Sequence, residues 1–175
     1  MVDHDLHLAR TRPKFRRGFA SDWPNIWPIF RDVVAAGDTY PYLPDISESD
    51  ARTAWLSNRA TRRVTYVAEL DGVIVGTAYL RPNQVGLGDH VANAGWMIAP
   101  AESGHGIGRL FALHILEEAK RLGYQAMQFN AVVATNERAL RLWTSMGFEI
   151  VGTVPDAFRH ATNGLTDIHI MYKDL

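Results

Sequence analysis

The most informative part of the chain is a glycine-rich stretch, residues 99–110, with the sequence APAESGHGIGRL. Its three glycines alternate with other residues between an apolar, strand-like run (residues 94–98) and a long amphipathic segment (residues 107–122). This spacing allows consecutive backbone amides to converge on one point. A helix that begins there adds its free amides and the positive end of its dipole. The stretch therefore predicts an anion site, most often one for phosphate.

Two familiar glycine-rich nucleotide motifs do not fit this stretch. A dinucleotide fold requires Gly-x-Gly-x-x-Gly in a βαβ unit, with an acidic residue roughly 20 positions later. Here the spacing is Gly-x-Gly-x-Gly, and the preceding strands are expected to form a hairpin. A P-loop requires Gly-Lys-Ser/Thr, which the chain lacks. A simple flexible turn is the remaining alternative.

The composition is that of an ordinary globular chain. Its 175 residues are 47% hydrophobic and 21% charged, with a formal net charge of -1, which suits one domain with its own core. Near-neutrality disfavours nucleic acid or an anionic membrane as the main partner. No apolar run approaches the roughly 20 residues that span a bilayer. Because the start is polar and resembles no signal peptide, we expect a cytoplasmic protein.

The chain has no cysteine. This excludes disulfides, thiolate metal sites and a covalent intermediate on a cysteine. Residues 1–13 are expected to form a flexible tail. Its His4, Asp5 and His7 could also be drawn as a metal cluster, although a solvated tail is the favoured interpretation.

Hydrophobic patterning indicates one α/β domain over residues 14–175. The Asp71-Gly72 pair is a strong signal for a two-residue hairpin turn. The expected strands are 14–19, 63–69, 73–81, 90–98, 126–133, 148–153 and 165–172, and the expected helices are 21–37, 49–58, 107–122 and 136–146. Residues 154–164 are expected to form a loop. This order predicts a mixed, largely antiparallel sheet.

Two motifs resemble the signatures of the GCN5-related N-acetyltransferases, the GNAT family. The first, Ile98-Ala99-Pro100 followed by Gly104–Gly108, looks like the acyl-CoA loop of that family. The second, residues 136–148 (NERALRLWTSMGF), resembles a family helix that opens with Asn and ends in Gly-Phe. The resemblance extends from about residue 14 to the C terminus. It implies the GNAT fold, a twisted α/β sheet of about six to seven mostly antiparallel strands with helices on both faces and splayed central strands.

The resemblance implies acetyl-CoA as co-substrate and no metal. The residues expected to bind its pyrophosphate, mainly through their backbone, are Ser103, Gly104, His105, Gly106, Ile107 and Gly108. Met97 and Ile98 would pair with the pantetheine arm. A bulge in their strand would present an N–H near Ile98 to the thioester carbonyl. Asn136 and Trp143 would lie along the same arm. Because the family usually has Arg or Gln in place of Ser103, we expect weaker CoA binding.

The acid and base usual in the family are missing. Trp143 falls where many members carry a tyrosine that protonates the departing thiolate, and residues 90–98 lack the usual glutamate. His90 is the nearest candidate base, with Asp89 and Glu69 as others acting through water. A structural histidine is the alternative interpretation. Asn136 is a contact to the CoA arm, a helix N-cap, or both.

Asn93 and Asn130 are predicted on the adjacent strands that splay apart. Each stands in an apolar run, so its partners must come from the splayed backbone or from a substrate. Both are therefore candidate catalytic and substrate-binding residues, and Asn136 joins the catalytic candidates. Tyr40 and Arg159 are candidates for the acceptor pocket, with Arg159 able to hold a carboxylate. Together with the Tyr-Pro stretch near Tyr40, the asparagines look like those of fungal acetyltransferases that detoxify proline analogues.

These observations predict an N-acetyltransferase that moves an acetyl group directly from acetyl-CoA to the amine of a small molecule, such as an amino acid or an analogue. The alternative is an acyl-CoA-binding sensor that has lost catalysis, which the missing acid and base favour. No nucleic-acid or membrane partner is expected. The oligomeric state is open, with a homodimer as the candidate.

Overall fold

The computed structural model describes residues 12–175. The possible metal ligands of the predicted tail, His4, Asp5 and His7, lie outside the described residues. The strands are β1 (Lys14–Arg17), β2 (Val64–Leu70), β3 (Val73–Pro82), β4 (Val91–Ile98), β5 (Ala126–Val133), β6 (Glu149–His160) and β7 (Gly164–Asp174). The helices are α1 (Trp23–Ala35), α2 (Glu48–Trp55), α3 (Ile107–Arg121) and α4 (Glu137–Ser145). The predicted order of elements is thus confirmed.

The strands form one seven-stranded sheet in the order β1-β2-β3-β4-β5-β7-β6. Neighbours are antiparallel except β4 and β5, which are parallel. The β2–β3 hairpin turns at Asp71 and Gly72, whose φ angles of 51° and 81° are those of a type I′ turn. The predicted fold class, a mixed and mostly antiparallel α/β sheet, is therefore confirmed.

Helices cover both faces of the sheet. The side chains of α3 and α4 pack on one face with alternate residues of β3 and β4, such as Leu80 and Ala94. The side chains of α1 and α2 pack on the other face, where Met97 of β4 contributes to the core. Because strand residues alternate between faces, β4 presents Asn93, Gly95 and Met97 to the α1/α2 face and Trp96 to the α3/α4 face.

The sheet opens between β4 and β5. These strands pair only at Val91 with Ala126 and Ala92 with Met127. Farther along, β5 carries a bulge against β7, because Asn130 and Ala131 lie between the paired positions Phe129–Met171 and Val132–His169. A bulge bends its strand and increases the local twist. The splayed strands expected from the family resemblance are therefore present.

The expected bulge in β4 is not there. β4 pairs with β3 without a shift, from Gly76–Ile98 to Pro82–Ala92. The irregularity that accompanies the opening belongs to β5 instead, at Asn130 and Ala131.

The predicted loop over residues 154–164 is also corrected. β6 continues to His160 and pairs with β7. Residues 155–157, which include Pro155, lie in a bulge between Val154 and Phe158 that interrupts pairing without ending the strand. The hairpin turn reaches the segment after α1, where Ala161 N donates to Gly37 O at 2.9 Å.

Candidate active site

A cavity of about 520 Å³ occupies the gap between β4 and β5. It is lined from both faces of the sheet, since the gap leaves no strand between them. From the α3/α4 face it is lined by Trp96, Ser103, Gly108, Asn136, Arg138 and Trp143. From the α1/α2 face it is lined by Thr39, Tyr40, Tyr42, Arg63, Tyr79, Arg81 and Asn93. We call these two sets the helix-side half and the pocket-side half of the cavity.

The glycine loop ends at the cavity. Gly104 and Gly106 have φ angles of 91° and 82°, which other residues rarely adopt. No atom lies within 4 Å of an added Cβ at either position, so backbone conformation, not crowding, requires glycine. Gly106 is the N-cap of α3. Within residues 12–175, the amides of residues 104–106 donate no hydrogen bond, which leaves them available to a ligand.

Arg138 lies beside the loop. It is in the first turn of α4, and its Nη1 donates to Ser103 Oγ at 2.5 Å. Both residues line the helix-side half. A guanidinium therefore lies beside Ser103, the residue at which the family pattern has Arg or Gln. Sequence reasoning missed Arg138 because it is distant from Ser103 along the chain.

The predicted residues of α4 both face the cavity. Asn136 is the N-cap of α4, and its Oδ1 accepts from Ala139 N at 3.1 Å. The N-cap interpretation is therefore confirmed, and the contact to the CoA arm stays a prediction. Trp143 lies two turns away and makes an edge-to-face contact with Trp96, with 4.4 Å between ring centroids. Its indole packs in an aromatic wall that also includes Phe129.

The edge of β4 that faces the gap carries unpaired backbone groups. Ala99 N donates to Val75 O of β3, and antiparallel strands alternate the direction of their amides. The N–H of Ile98 therefore points away from β3 and into the gap, as do the N–H and C=O of Trp96. Tyr40 OH donates to Trp96 O at 2.8 Å and so fixes this edge from the pocket side. Burial raises the pKa of Tyr40 well above its usual range, so its hydroxyl stays protonated.

Asn93 closes the narrow end of the gap. It is 4% exposed, and its Nδ2 donates to Gln128 O of β5 at 3.0 Å. Its Oδ1 accepts from Tyr79 OH at 3.2 Å. The side chain thus continues the link between the strands one residue beyond their last backbone pair. Of the two partners considered for this amide, the structure supplies the splayed backbone.

Asn130 is exposed, contrary to the expectation from its apolar neighbours. Its side chain lies on the same side of β5 as that of Gln128, beside the bulge against β7. Its Nδ2 donates to Asn83 Oδ1 at 2.7 Å, and its Oδ1 accepts from Gln128 Nε2 at 2.9 Å. Asn130 still lines the cavity, on the side of β5.

Sequence reasoning missed three residues of the pocket-side half, Arg63, Tyr79 and Arg81. The Arg63 guanidinium carbon lies 4.2 Å from the Tyr79 ring centroid, and its Nη1 donates to Ala54 O. Burial lowers the pKa of Arg63, and nearby Arg81 lowers it further. The Tyr79 ring packs against Gly95, where an added Cβ would lie 2.8 Å from a ring carbon. Polar side chains at alternate positions of β3 were the signal that could have shown Tyr79 and Arg81.

Three buried polar atoms at the cavity have no hydrogen-bond partner within residues 12–175. They are Thr39 Oγ1, Arg81 Nε and Trp96 Nε1. Buried polar groups are normally paired, so such atoms need an explanation. Because all three residues line one cavity, a polar ligand in that cavity is the simplest one.

Residues 104–107 of the glycine loop do not themselves line the cavity. Among the predicted catalytic and acceptor-binding residues, two lie away from it. His90 is exposed just before β4, and Arg159 is exposed on β6. Neither is among the residues that line the cavity. Their predicted roles as base and as carboxylate ligand stay predictions that their positions do not support.

Other expectations concern metals, membranes and partners. Within residues 12–175, no group of three or more His, Cys, Asp or Glu is placed to hold a metal ion. No helix of the described chain has the length and apolar character needed to cross a bilayer. The homodimer, the cytoplasmic location and the lack of a nucleic-acid partner stay predictions.

Comparisons with known proteins agree with this geometry. Residues 26–148 match the acetyltransferase (GNAT) family. N-acetyltransferase aca1 of Schizosaccharomyces pombe is 36% identical over 173 residues, which cover 97% of this chain and 74% of that protein. A GCN5-related N-acetyltransferase from Kribbella flavida is 43% identical with a TM-score of 0.88, over 93% of this chain and 98% of that chain.

A third structure shares the fold. It is an acetyltransferase from Salmonella typhimurium with its cofactor acetyl-CoA, 20% identical with a TM-score of 0.81, over 94% of this chain and 95% of that chain. The family match covers most of the chain, and the curated relative is similar over nearly all of it. The chain therefore belongs to the GNAT family, the acetyl-CoA-dependent N-acetyltransferases.

Proposed function

We propose that the protein transfers the acetyl group of acetyl-CoA directly to the amine of a small molecule. The observation that carries this proposal is the single cavity that joins the glycine loop to a polar pocket through the opened sheet. Acetyl-CoA would bind in the helix-side half with its thioester in the gap. The acceptor would reach that thioester from the pocket-side half. The cavity volume is in the range typical of small-molecule sites, about 300–1,000 Å³.

The helix-side half would bind acetyl-CoA. The free amides of residues 104–106 and the N-terminus of α3 suit its pyrophosphate. His105, Ile107 and Gly108 belong to the same loop and first turn. The gap-facing backbone groups of Trp96 and Ile98 would pair with the pantetheine arm. The backbone N–H and C=O of Met97, predicted for the same role, point toward β3 instead. Asn136 and Trp143 would flank the arm.

The chemistry proposed for the gap is one nucleophilic displacement. The amine nitrogen attacks the thioester carbonyl carbon, the C–S bond breaks, and CoA leaves as a thiolate. The N–H of Ile98 points into the gap and would stabilise the developing oxyanion, a contribution of about 3 kcal/mol in other acyl transfers. Because no Asp, Glu or His is among the described residues that line the cavity, the amine would bind neutral and release its proton to water.

A thiol-release assay tests this proposal. The protein is incubated with acetyl-CoA and a panel of amino acids, simple amines and amine-bearing antibiotics, and free thiol is followed over time. We expect release that depends on one acceptor class, together with the acetylated amine by mass spectrometry. Binding of acetyl-CoA by calorimetry without release from any acceptor would contradict the proposal and favour the sensor.

A second experiment separates direct transfer from a covalent intermediate. The protein is mixed with radiolabelled acetyl-CoA in the absence of acceptor and then denatured. We expect no label on the protein, because direct transfer needs all three partners together. Stable labelling would overturn the direct route.

A further inference from the structure

Two arginines lie in one row with Asn93 on the α1/α2 face of the sheet. Arg81 of β3 pairs with Asn93 of β4. Val64 pairs with Leu80, so the preceding residue, Arg63, stands at the matching position beside Arg81. Cross-strand neighbours on one face have Cβ atoms about 5 Å apart. The row therefore places two guanidinium groups next to the amide that closes the gap.

This pair of cations has no anionic partner within residues 12–175. Neither arginine forms an ion pair with a described residue. Arg63 is held by Ala54 O and by the Tyr79 ring, and Arg81 Nε is buried without a partner. No Asp or Glu is among the residues that line the cavity. Both arginines are half-buried, and a cation taken partly out of water without a counter-charge is costly. The arrangement therefore suits an anion that the described residues do not supply.

We propose that Arg63 and Arg81 bind a carboxylate of the acceptor, so that the acceptor is an amino acid. A guanidinium fork is suited to carboxylate oxygens because it donates two parallel hydrogen bonds. This inference rests on the proposed acetyl transfer to a small amine. It gives the carboxylate to Arg63 and Arg81 inside the cavity and leaves exposed Arg159 without that role.

The row lies at the narrow end of the gap. Arg81 is directly opposite Asn93, and Asn93 bridges β4 and β5 where the gap begins. The guanidinium of Arg63 lies over the Tyr79 ring, and Tyr79 pairs with Gly95, two residues farther along β4. A carboxylate held by these groups therefore belongs to an acceptor that enters from the pocket-side half.

The test compares the L-amino acids with their carboxamides, which keep the side chain and the amine but lose the charge. We expect kcat/KM for the best amino acid to exceed that of its carboxamide by about 100-fold, the size typical of losing a bidentate charged contact. The amine of a carboxamide is the less basic of the two and is more often neutral at pH 7.5. Intrinsic reactivity therefore favours the carboxamide, which makes the opposite preference diagnostic.

Substitution of the arginines gives the second arm. Arg81→Gln should raise KM for the amino acid at least tenfold and should lower the preference for the amino acid over its carboxamide by a similar factor. Arg81→Lys, which keeps the charge but not the fork, should fall between. Arg63→Gln should act in the same direction. Because Arg63 also contacts Ala54 and Tyr79, its thermal unfolding is measured alongside. Arg31→Gln, an exposed arginine on α1, is the matched control and should change nothing.

The outcomes separate this inference from the proposed function. Equal transfer to amino acids and carboxamides, or equal loss for both in Arg81→Gln, would overturn the carboxylate site and leave acetyl transfer standing. Without transfer to any acceptor, the proposed function fails. The site is then judged by thermal shift of the CoA-bound protein with the same pairs of compounds. Stabilisation by amino acids alone, lost in Arg81→Gln, supports it, and equal or no stabilisation by both overturns it.

Discussion

The two halves of the cavity are built in different ways. The helix-side half adjoins backbone groups from one continuous stretch of chain, the unpaired edge of β4 and the free amides of residues 104–106, and α4 adds side chains to it. The pocket-side half consists of side chains from the segment after α1, from β3 and β4, and from the residue before β2. A site made of backbone needs particular φ angles, whereas a site made of side chains needs the whole sheet in register. The first half therefore suits a constant ligand, and the second suits a ligand that can differ between relatives.

The largest expected effect comes from placing a negative charge in the helix-side half. Gly108 is in the first turn of α3, and an added Cβ there meets only Ile98 Cγ1, at an ordinary 3.7 Å. Gly108→Glu should weaken acetyl-CoA binding at least 100-fold, because a carboxylate would face the phosphates. Gly108→Gln, of the same size but neutral, should weaken it by about tenfold, so that the difference reports charge.

Calorimetry with acetyl-CoA measures both variants, and circular dichroism checks that each is folded. Similar affinities for the Glu and Gln variants would show that no phosphate lies near Gly108, and the placement of the loop would be wrong. Amino-acid binding in the pocket-side half should survive both substitutions.

The helix-side half could be predicted from sequence because the residues that mark it act locally. Gly104 and Gly106 mark positive φ angles, and Asn136 marks a helix N-cap, each within a few residues of the structure it specifies. The hairpin at Asp71-Gly72 was predictable for the same reason. The sequence also placed polar Asn93 correctly on a central strand.

The pocket-side half could not be predicted in the same way, because no local pattern records which strands become neighbours. Arg63 reaches the pocket only because β2 pairs with β3 in one particular register. Arg159 was expected in a loop that borders the acceptor pocket, but it lies in β6 and pairs with Leu165 of β7. Asn130 was expected to take its partners from the splayed backbone or a substrate, but it is exposed beside a bulge and bonds to the side chains of Asn83 and Gln128. Bulges and strand neighbours depend on long-range pairing energies, which a single sequence does not display.

The second prediction concerns Asn93, which links β4 to β5 between the two halves. Asn93→Ala leaves Gln128 O and Tyr79 OH without their partner, so it should lower the free energy of unfolding by about 1–3 kcal/mol. The rate of transfer should fall about 30-fold, since a loosened gap no longer positions the thioester and the amine, and small misplacements are costly. Urea unfolding and single-turnover kinetics measure the two effects.

Tyr79→Phe provides the matched control for Asn93→Ala. It removes one hydrogen bond to Asn93 but keeps the ring under Arg63, so its effects should be smaller than those of Asn93→Ala. Combined with Asn93→Ala it should add almost nothing. Full additivity would mean that Tyr79 and Asn93 act separately, and that their hydrogen bond does not support the link between β4 and β5.

The third prediction concerns Arg138, which lies beside the glycine loop in the helix-side half. Arg138→Ala should weaken acetyl-CoA binding about tenfold, because a guanidinium beside the loop suits a phosphate. The same substitution should have no effect on binding of acetyl-pantetheine, which lacks the nucleotide phosphates. Ser103→Arg in the Arg138→Ala background should restore the affinity, since it returns a guanidinium to the same place. An equal loss for acetyl-pantetheine would indicate a structural role for Arg138 instead.

The smallest expected effect belongs to Tyr40, which joins the halves by one hydrogen bond to Trp96 O. Tyr40→Phe keeps the contacts of the ring with Tyr42 and Trp55 and removes only the hydroxyl. We expect kcat/KM to fall about threefold to tenfold, the cost of one neutral hydrogen bond of about 1 kcal/mol. Because burial raises the pKa of Tyr40, the hydroxyl is protonated in the folded protein throughout pH 6–9. The loss should therefore be the same at every pH in that range. A loss that grows as the pH rises, with one ionisation missing from the profile of the variant, would instead make Tyr40 the base that no described acid or histidine of the cavity provides.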